Sequence, residues 1–275
     1  MKIGIVSRTD KEEAIELDRN IVKYLLANHV EIELDTSLAK ELEEYSDLET
    51  PIEDMTSDIV LCVGGDGTVL NAQHVLSPKK IPILSINMGT VGFLTEVDPE
   101  DIFECLDKLL SYDFFIEERL QLDVLCDDKW ITVLNELVIM TSQPAKMLNL
   151  RVSVDEEVVD EVRADGLIVS TPSGSTAYSM SAGGPIVDPR VDAAIIIPIC
   201  PFKLNTRPKI VPAESTITVK FLKEGKQAIG VLDGVSRENF NYMDEVKIRK
   251  SDNAAYFVRF KKNFYNSVNN KLIVG

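Results

Sequence analysis

Residues 62 to 70 read Cys-Val-Gly-Gly-Asp-Gly-Thr-Val-Leu and continue an apolar run that begins at Ile59. A buried strand that ends in glycines lets the backbone turn tightly and approach a ligand closely. The pattern predicts a helix from Val69, whose N-terminal amides would face an anion. Strand, glycine turn and helix together form the repeating unit of a parallel sheet, so this segment constrains the fold most. Asp66 is the anomaly in the turn. A carboxylate repels phosphate and suits a base or a metal partner better. The alternative is a plain turn in which Asp66 caps the helix. The wider glycine spacing of the dinucleotide fingerprint is absent, and no Lys follows the last Gly as in a P-loop.

The flanking sequence extends the same pattern. Lys2 to Arg8 reads as a strand, and Ala14, Leu17, Ile21, Val22, Leu25 and Leu26 mark one face of a helix over Lys11 to His29. Val30 to Leu34 and Ile81 to Ile86 read as further strands, and the acid-rich stretch Glu41 to Asp54 as a surface loop or short helix. A second glycine-bearing turn, Asn87-Met88-Gly89-Thr90-Val91-Gly92-Phe93, follows the last of these strands. Asp98-Pro99 then opens a helix to about Leu110. In a parallel sheet of this kind ligands sit beyond the carboxyl ends of the strands, where Asp66 falls.

From about Phe115 the texture changes to alternating apolar and polar residues. Leu120 to Val124, Trp130 to Met140, Val152 to Val154, Thr216 to Leu222, Gln227 to Leu232, Val246 to Arg249 and Tyr256 to Phe260 read as short strands, with Asp127-Asp128 as a turn. Strands without long intervening helices imply an antiparallel sandwich. The predicted fold is an α/β N-terminal domain with a Rossmann-like parallel sheet over residues 1–114, then an all-β, sandwich-like C-terminal domain over residues 115–260.

Composition narrows the partners. The 45 acids against 29 bases give a formal charge of -16. Such a surface repels a nucleic-acid backbone or an anionic membrane, so neither is an expected partner. Lys203, Arg207 and Lys209 form a local basic cluster that a solvated loop explains equally well. Cys62, Cys105, Cys126 and Cys200 are scattered singly, without metal-site spacing or a disulfide framework, which fits a reducing cytoplasm. The longest charge-free apolar run, Ala193 to Phe202, is too short to span a bilayer.

Two further stretches carry chemistry. Eight of the twelve residues from Ser170 to Ser181 bear a hydroxyl, a density suited to a ligand rich in hydroxyls, amides and phosphate oxygens. A helix cap followed by Ser-rich surface is the plainer reading. Asn135-Glu136 interrupts an otherwise apolar strand; because adjacent strand residues face opposite sides, a bulge or edge is the structural alternative to a binding role.

Gly-Gly-Asp-Gly-Thr at 64–68, Asn135-Glu136, Asp-Gly-Leu-Ile-Val-Ser-Thr-Pro-Ser-Gly-Ser-Thr-Ala-Tyr at 165–178 and Gly-Gly-Pro at 183–185 occur in one order. In this the chain resembles the NAD kinases, over nearly its whole length to the Asp233-Gly234 turn. Lipid kinases share the glycine turn but lack the hydroxyl-rich segment. Asn71 stands where bacterial members often carry Arg or His, Phe202 where a Pro-His pair is frequent, and Val235 where many have Gln.

The resemblance implies transfer of a terminal phosphoryl group from ATP or polyphosphate, with Mg²⁺ or another divalent cation, to the adenosine-ribose 2′-hydroxyl of NAD, giving NADP. Asp66 would be the base, and Gly64, Gly65, Gly67, Thr68 and Asn71 the phosphate or donor contacts. Asn135, Glu136, Asp165, Thr176, Ala177, Tyr178 and Ser181 would bind NAD, with Lys146 and Arg163 at phosphate or cross-subunit positions. No protein metal ligands are assigned. The resemblance further implies a homodimer or homotetramer and a C-terminal tail, 261–275, packed on the first domain. A kinase of another hydroxyl substrate and a non-catalytic NAD(P)-binding regulator are the alternatives.

Overall fold

The computed structural model describes residues 1–89, 92–126, 128–224, 226–234, 236–262 and 264–273. The chain divides into two compact units, one of residues 1–118 with 255–275 and the other of residues 119–254.

The first unit opens with β1 (Lys2–Ser7), α1 (Glu12–Ala27), β2 (Glu31–Leu34), α2 (Thr36–Glu41), β3 (Ile59–Gly64), α3 (Asp66–Leu76), β4 (Ile83–Asn87), α4 (Ile102–Leu110) and β5 (Phe115–Arg119). β1 pairs in parallel with β2 and with β3, and β3 with β4. The order β2-β1-β3-β4 reverses direction between β1 and β3, which opens a crevice at the carboxyl ends of those two strands. Ile3, Ile5, Leu61, Val63, Leu84 and Ile86 face one core with the apolar stripes of α1 and α4. All six residues of β3 are buried, as a strand covered on both faces requires.

In the second unit β6 (Leu122–Cys126), β7 (Lys129–Val133), β8 (Glu136–Thr141), β9 (Leu148–Val154), β10 (Glu157–Ala164) and β11 (Gly166–Ser170) precede α5 (Tyr178–Ser181). Then come β12 (Ala193–Ile199), β13 (Lys209–Pro212), β14 (Ile217–Phe221), β15 (Ala228–Leu232), β16 (Ser236–Phe240) and β17 (Glu245–Lys250). Two six-stranded sheets result, β10-β9-β14-β17-β6-β7 and β13-β12-β11-β8-β15-β16. Alternate residues of both sheets, among them Val124, Val152, Val219, Leu137, Val169 and Ile196, meet in a common sandwich core. The second sheet also buries its other face through Val138, Ile168, Ile195 and Ile197, which is why β12 is buried throughout.

After the sandwich the chain returns to the first unit as β18 (Ala255–Arg259) and α6 (Phe264–Ile273). β18 runs parallel to β4 and separates it from β5, giving β2-β1-β3-β4-β18-β5. The alternating texture of Tyr256 to Phe260 and of the segment from Phe115 placed both in the β domain, and the structure differs. Phe257 and Val258 point to opposite faces and both are fully buried, a demand met by a parallel sheet covered on both sides. The segment from Ile131 to Met140 also differs, since it is two strands, β7 and β8, in different sheets. Thr90, Val91, Asp127 and Val235 lie outside the described residues. No helix among the described residues is long and apolar enough to cross a membrane.

One buried group in the first unit works against folding. Asp18, on the inner face of α1, is fully buried and neither carboxylate oxygen has a hydrogen-bond partner among the described residues. Burial pushes its pKa up to about 7. The Ser7 hydroxyl, bonded to the Val63 and Arg8 carbonyls, offsets little of this. The folded chain therefore binds a proton that the unfolded chain has lost between the ordinary carboxylate range and pH 7, so stability declines across that window as pH rises. Asp18→Asn is expected to raise the melting temperature by several degrees at pH 7.5, with the gain fading as pH approaches 4. A gain independent of pH in calorimetry would assign the effect to packing instead.

Candidate functional site

The glycine turn leaves β3 at Gly64 and enters α3 at once. Gly65 is the N-cap and Asp66 the first helical residue, so the helix begins three residues before Val69. Gly64 is required by packing, because a Cβ there would stand 2.3 Å from the Thr68 hydroxyl. At Gly65 and Gly67 a Cβ would meet nothing within 4 Å. Their glycines leave the backbone open to an approaching group. The amides of Asp66 and Gly67 precede the first intrahelical bond, from the Thr68 N–H to the Gly65 carbonyl at 3.0 Å. Open amides at a helix N-terminus beside bare glycine backbone suit an anion. Thr68 is half-buried, and Asn71 is exposed one turn further on.

Asp66 does not cap its helix. Its Oδ2 accepts from the Phe93 N–H at 2.8 Å and its Oδ1 from the Leu94 N–H at 3.1 Å. Gly92 makes this possible, since a Cβ at that position would lie 2.1 Å from Oδ1. The second glycine turn thus holds the acid of the first. Neighbouring bonds draw the strand ends together: the Met88 N–H donates to the Gly64 carbonyl at 2.9 Å and the Arg8 N–H to Val63 at 3.0 Å.

In the second unit Asn135 and Glu136 are buried at the point where the chain leaves β7 for β8. Asp233 causes that break. Its carboxylate accepts from the N–H groups of Leu134 at 2.6 Å, Asn135 at 2.8 Å and Glu136 at 3.0 Å. Three successive amides directed at one carboxylate are withdrawn from any strand ladder, so the strand ends and restarts in the other sheet. Asp233 and Gly234 both have positive φ, 47° and 74°, in the β15–β16 hairpin that aims the carboxylate. The sequence marked this turn only as the end of the resemblance. An Asp-Gly pair between two apolar alternations was the available signal.

The hydroxyl-rich segment wraps the same break. Thr171 donates its hydroxyl to the Leu134 carbonyl and Ser170 to that of Asn135 at 3.2 Å. Gly174 packs so closely that a Cβ would come within 2.2 Å of the Asn135 oxygen. Ser175 both donates to and accepts from the Val187 backbone, and Thr176 donates to the Ser173 carbonyl. Most hydroxyls there are thus buried and serve the protein itself. Tyr178 and Ser181 are exposed, and Ala177 is half-buried beside them. Ser175 and Thr176 end a 3-10 turn that begins at Ser173.

The Glu136 carboxyl has one oxygen, Oε2, without a hydrogen-bond partner among the described residues. Burial, with the Asp233 charge adding to it, pushes its pKa up to about 8, so it is mostly protonated at neutral pH. A buried, partnerless carboxyl oxygen is ready for a ligand hydroxyl or amide. Asp165, Arg163 and Lys146 are elsewhere. Glu136 pairs with Ser170 at one end of β11, whereas Asp165 precedes its other end, about 16 Å away at strand rise. There the Arg163 guanidinium lies 4.9 Å over the exposed Phe202 ring. Lys209 of the basic cluster pairs with Asp160, and Arg207 bonds the Leu204 and Thr206 carbonyls.

Both halves of the chain match known proteins. The model of the ATP-NAD kinase N-terminal domain matches residues 3–114 and that of the ATP-NAD kinase C-terminal domain residues 134–260. A NAD kinase of Methanosphaera stadtmanae is 80% identical over 275 residues, covering 100% of both chains. This chain belongs to the NAD kinase family. A NAD kinase of Methanothermobacter thermautotrophicus is 53% identical over 100% of this chain and 97% of its own. The crystal structure of an Archaeoglobus fulgidus NAD kinase in complex with ATP superposes with TM-score 0.81 at 33% identity, covering 100% of each chain. Yeast NADH kinase complexed with NADH has the same fold, with TM-score 0.90 at 24% identity over 100% of this chain and 87% of its own. In this chain the matched N-terminal domain is α/β and the matched C-terminal domain β-rich, the fold class that the sequence predicted.

Asp233→Ala would strand three buried N–H groups, each costing about 1–3 kcal/mol. Denaturant unfolding is expected to show a loss of at least about 3 kcal/mol. Amide exchange at Leu134, Asn135 and Glu136 should lose protection selectively. Unchanged protection at those three amides would show that Asp233 does not hold the strand break.

Proposed function

We propose that the chain catalyses phosphoryl transfer from ATP to the adenosine-ribose 2′-hydroxyl of NAD, giving NADP. The observation that carries this is Asp66: a carboxylate fixed by two backbone amides, next to open glycine backbone at a helix N-terminus. Family membership and the ATP complex of the Archaeoglobus relative support the same reading. The first unit supplies the donor contacts through Gly64, Gly65, Gly67 and Thr68, and Asn71 adds at most a weak neutral one. The second unit supplies dinucleotide contacts through Asn135, Glu136, Thr176, Ala177, Tyr178 and Ser181.

Asp66 accepts the hydroxyl proton as the ribose oxygen attacks phosphorus. A carboxylate is a weak base toward a sugar hydroxyl, so its transfer is late and contributes on the order of 10²-fold when geometry is right. Positioning and charge neutralisation supply the larger share, as in phosphoryl transfer generally. The Asp66 and Gly67 amides donate toward phosphate oxygens. Among the described residues no three His, Cys, Asp or Glu side chains form a protein-made metal site. One acid beside open backbone suits Mg²⁺ or another hard cation that would be carried mainly by the donor's own phosphates. Such a cation would offset phosphate charge. Polyphosphate presents the same terminal group and is an alternative donor.

Asn135 and Glu136 orient the dinucleotide, the protonated Glu136 donating at neutral pH. Asp165 lines the dinucleotide pocket although it stands about 16 Å along β11 from the level of that pair, and Arg163 and Lys146 make phosphate or cross-subunit contacts in a homodimer or homotetramer. The free thiols and the acidic surface fit a cytoplasmic enzyme acting on a soluble nucleotide, with no nucleic acid or membrane as partner.

Incubation of the protein with NAD, Mg²⁺ and either ATP or polyphosphate, followed by mass spectrometry, is expected to yield 2′-phosphorylated NAD. Asp66→Asn should retain NAD binding and lose turnover by about 10²-fold or more. An unchanged turnover number in that variant removes Asp66 from the base role, and NAD binding without product from either donor would favour a binding regulator. Asn135→Ala is expected to raise the Michaelis constant for NAD more than that for the donor. The opposite pattern in steady-state kinetics would move the Asn-Glu pair to the donor side.

A further inference from the structure

Asp66 is oriented by the backbone of Phe93 and Leu94, so whatever fixes that backbone fixes the acid. Leu94 is the link. Its N–H donates to Asp66, and its carbonyl accepts from the Ser85 hydroxyl at 2.7 Å and from Arg259 Nη1 at 3.4 Å. The segment continues as a clamped edge beside β4. The Glu96 and Val97 N–H groups donate to the Ser85 carbonyl at 3.0 and 3.1 Å, and the Asn87 N–H donates to Val97 at 2.9 Å.

Arg259 lies at the end of β18, far along the chain and 5% exposed. Its guanidinium meets Glu117 at 2.9 Å and Glu96 at 3.3 Å as well as the Leu94 carbonyl. It also lies 5.1 Å over the Phe257 ring. The Phe260 N–H donates to the other Glu96 oxygen at 3.1 Å. Burial pushes the Glu96 pKa up, and the Arg259 charge opposes that shift. A buried ion cluster of this kind is weak as a source of stability, because desolvation offsets its attraction. What it does well is fix a single arrangement through the planar, multi-pronged guanidinium.

We propose that Arg259 is a positioning residue for phosphoryl transfer, holding the Leu94 peptide so that the Phe93 and Leu94 amides present the Asp66 carboxylate in one orientation. The C-terminal strand is then part of the catalytic apparatus of the first unit without touching substrate. This rests on the reading of Asp66 as proton acceptor. A small displacement of a reacting group costs up to about 10²-fold in rate while leaving substrate binding intact.

The test is steady-state kinetics on the full chain with NAD, ATP and Mg²⁺ for Arg259→Gln, Ser85→Ala, Asp66→Asn and the remote core variant Leu109→Ala, each assayed well below its melting temperature. Arg259→Gln is expected to lower kcat at least about tenfold with the Michaelis constant for NAD within about twofold. Ser85→Ala should lose less in the same direction, and Leu109→Ala should keep its turnover. Full kcat in a folded Arg259→Gln, or an equal loss in Leu109→Ala, overturns the proposal. Should Arg259→Gln fail to fold, Arg259→Lys is read by the same criterion, because it keeps the charge but not the fork. Full kcat in Asp66→Asn would instead sink the base reading on which the proposal stands.

Discussion

A carboxylate inside a protein has to find donors, and backbone N–H groups are the donors closest to hand. Asp233 meets that constraint with three consecutive amides. The consequence is architectural. Leu134 to Glu136 cannot give the same N–H groups to a strand neighbour, so one apolar segment serves first as the edge of one sheet, β7, and then as an inner strand of the other, β8. The side chains at the break are Asn135 and Glu136. The hydroxyls of Ser170 and Thr171 close over the freed carbonyls, and the tight approach at Gly174 follows from that closure. The face proposed to bind the dinucleotide is thus a by-product of one strand being made to change sheets.

The first unit uses the same device on the acid proposed to carry the chemistry. Asp66 is held by two amides of a turn that needs glycine at residue 92, and that turn is tied back by Ser85 and Arg259. The two carboxylates differ in purpose. Asp233 is enclosed and its bonds organise backbone, whereas Asp66 is only half-buried and borders open glycine backbone. A carboxylate oriented in advance needs little rearrangement when charge moves, which is how preorganised groups lower barriers.

Two other acids show the cost of burial without such donors. Among the described residues neither Asp18 carboxylate oxygen has a hydrogen-bond partner and its pKa rises to about 7, and Glu136 leaves Oε2 bare and rises to about 8. Glu136 lies beside the segment that the family resemblance assigns to the dinucleotide, so its bare oxygen fits the binding role proposed for it. Asp18 has no such setting, and only its effect on stability is evident.

Local pattern determined the classes of structure here. Apolar runs ending in glycine, with helices between, had to give a parallel sheet, because each strand needed cover on both faces. Short alternating strands with turn residues between them had to give a sandwich. The Gly-Gly-Asp-Gly-Thr turn and the Asn135-Glu136 pair were legible because a charged or amide side chain in an apolar run is conspicuous. Tertiary structure decided which distant groups meet. Asp66 looked like a possible helix cap, and its true donors are 27 and 28 residues away at Phe93 and Leu94. Most of the Ser170 to Thr176 hydroxyls, whose density suited a ligand, bond the chain itself. β18 read like its neighbours in the sandwich, yet a sheet with both faces buried took it in and brought Arg259 to Leu94. Periodicity reports how many faces of a strand are apolar, but hydrogen-bond partners across a sheet are chosen by geometry that a linear pattern does not encode.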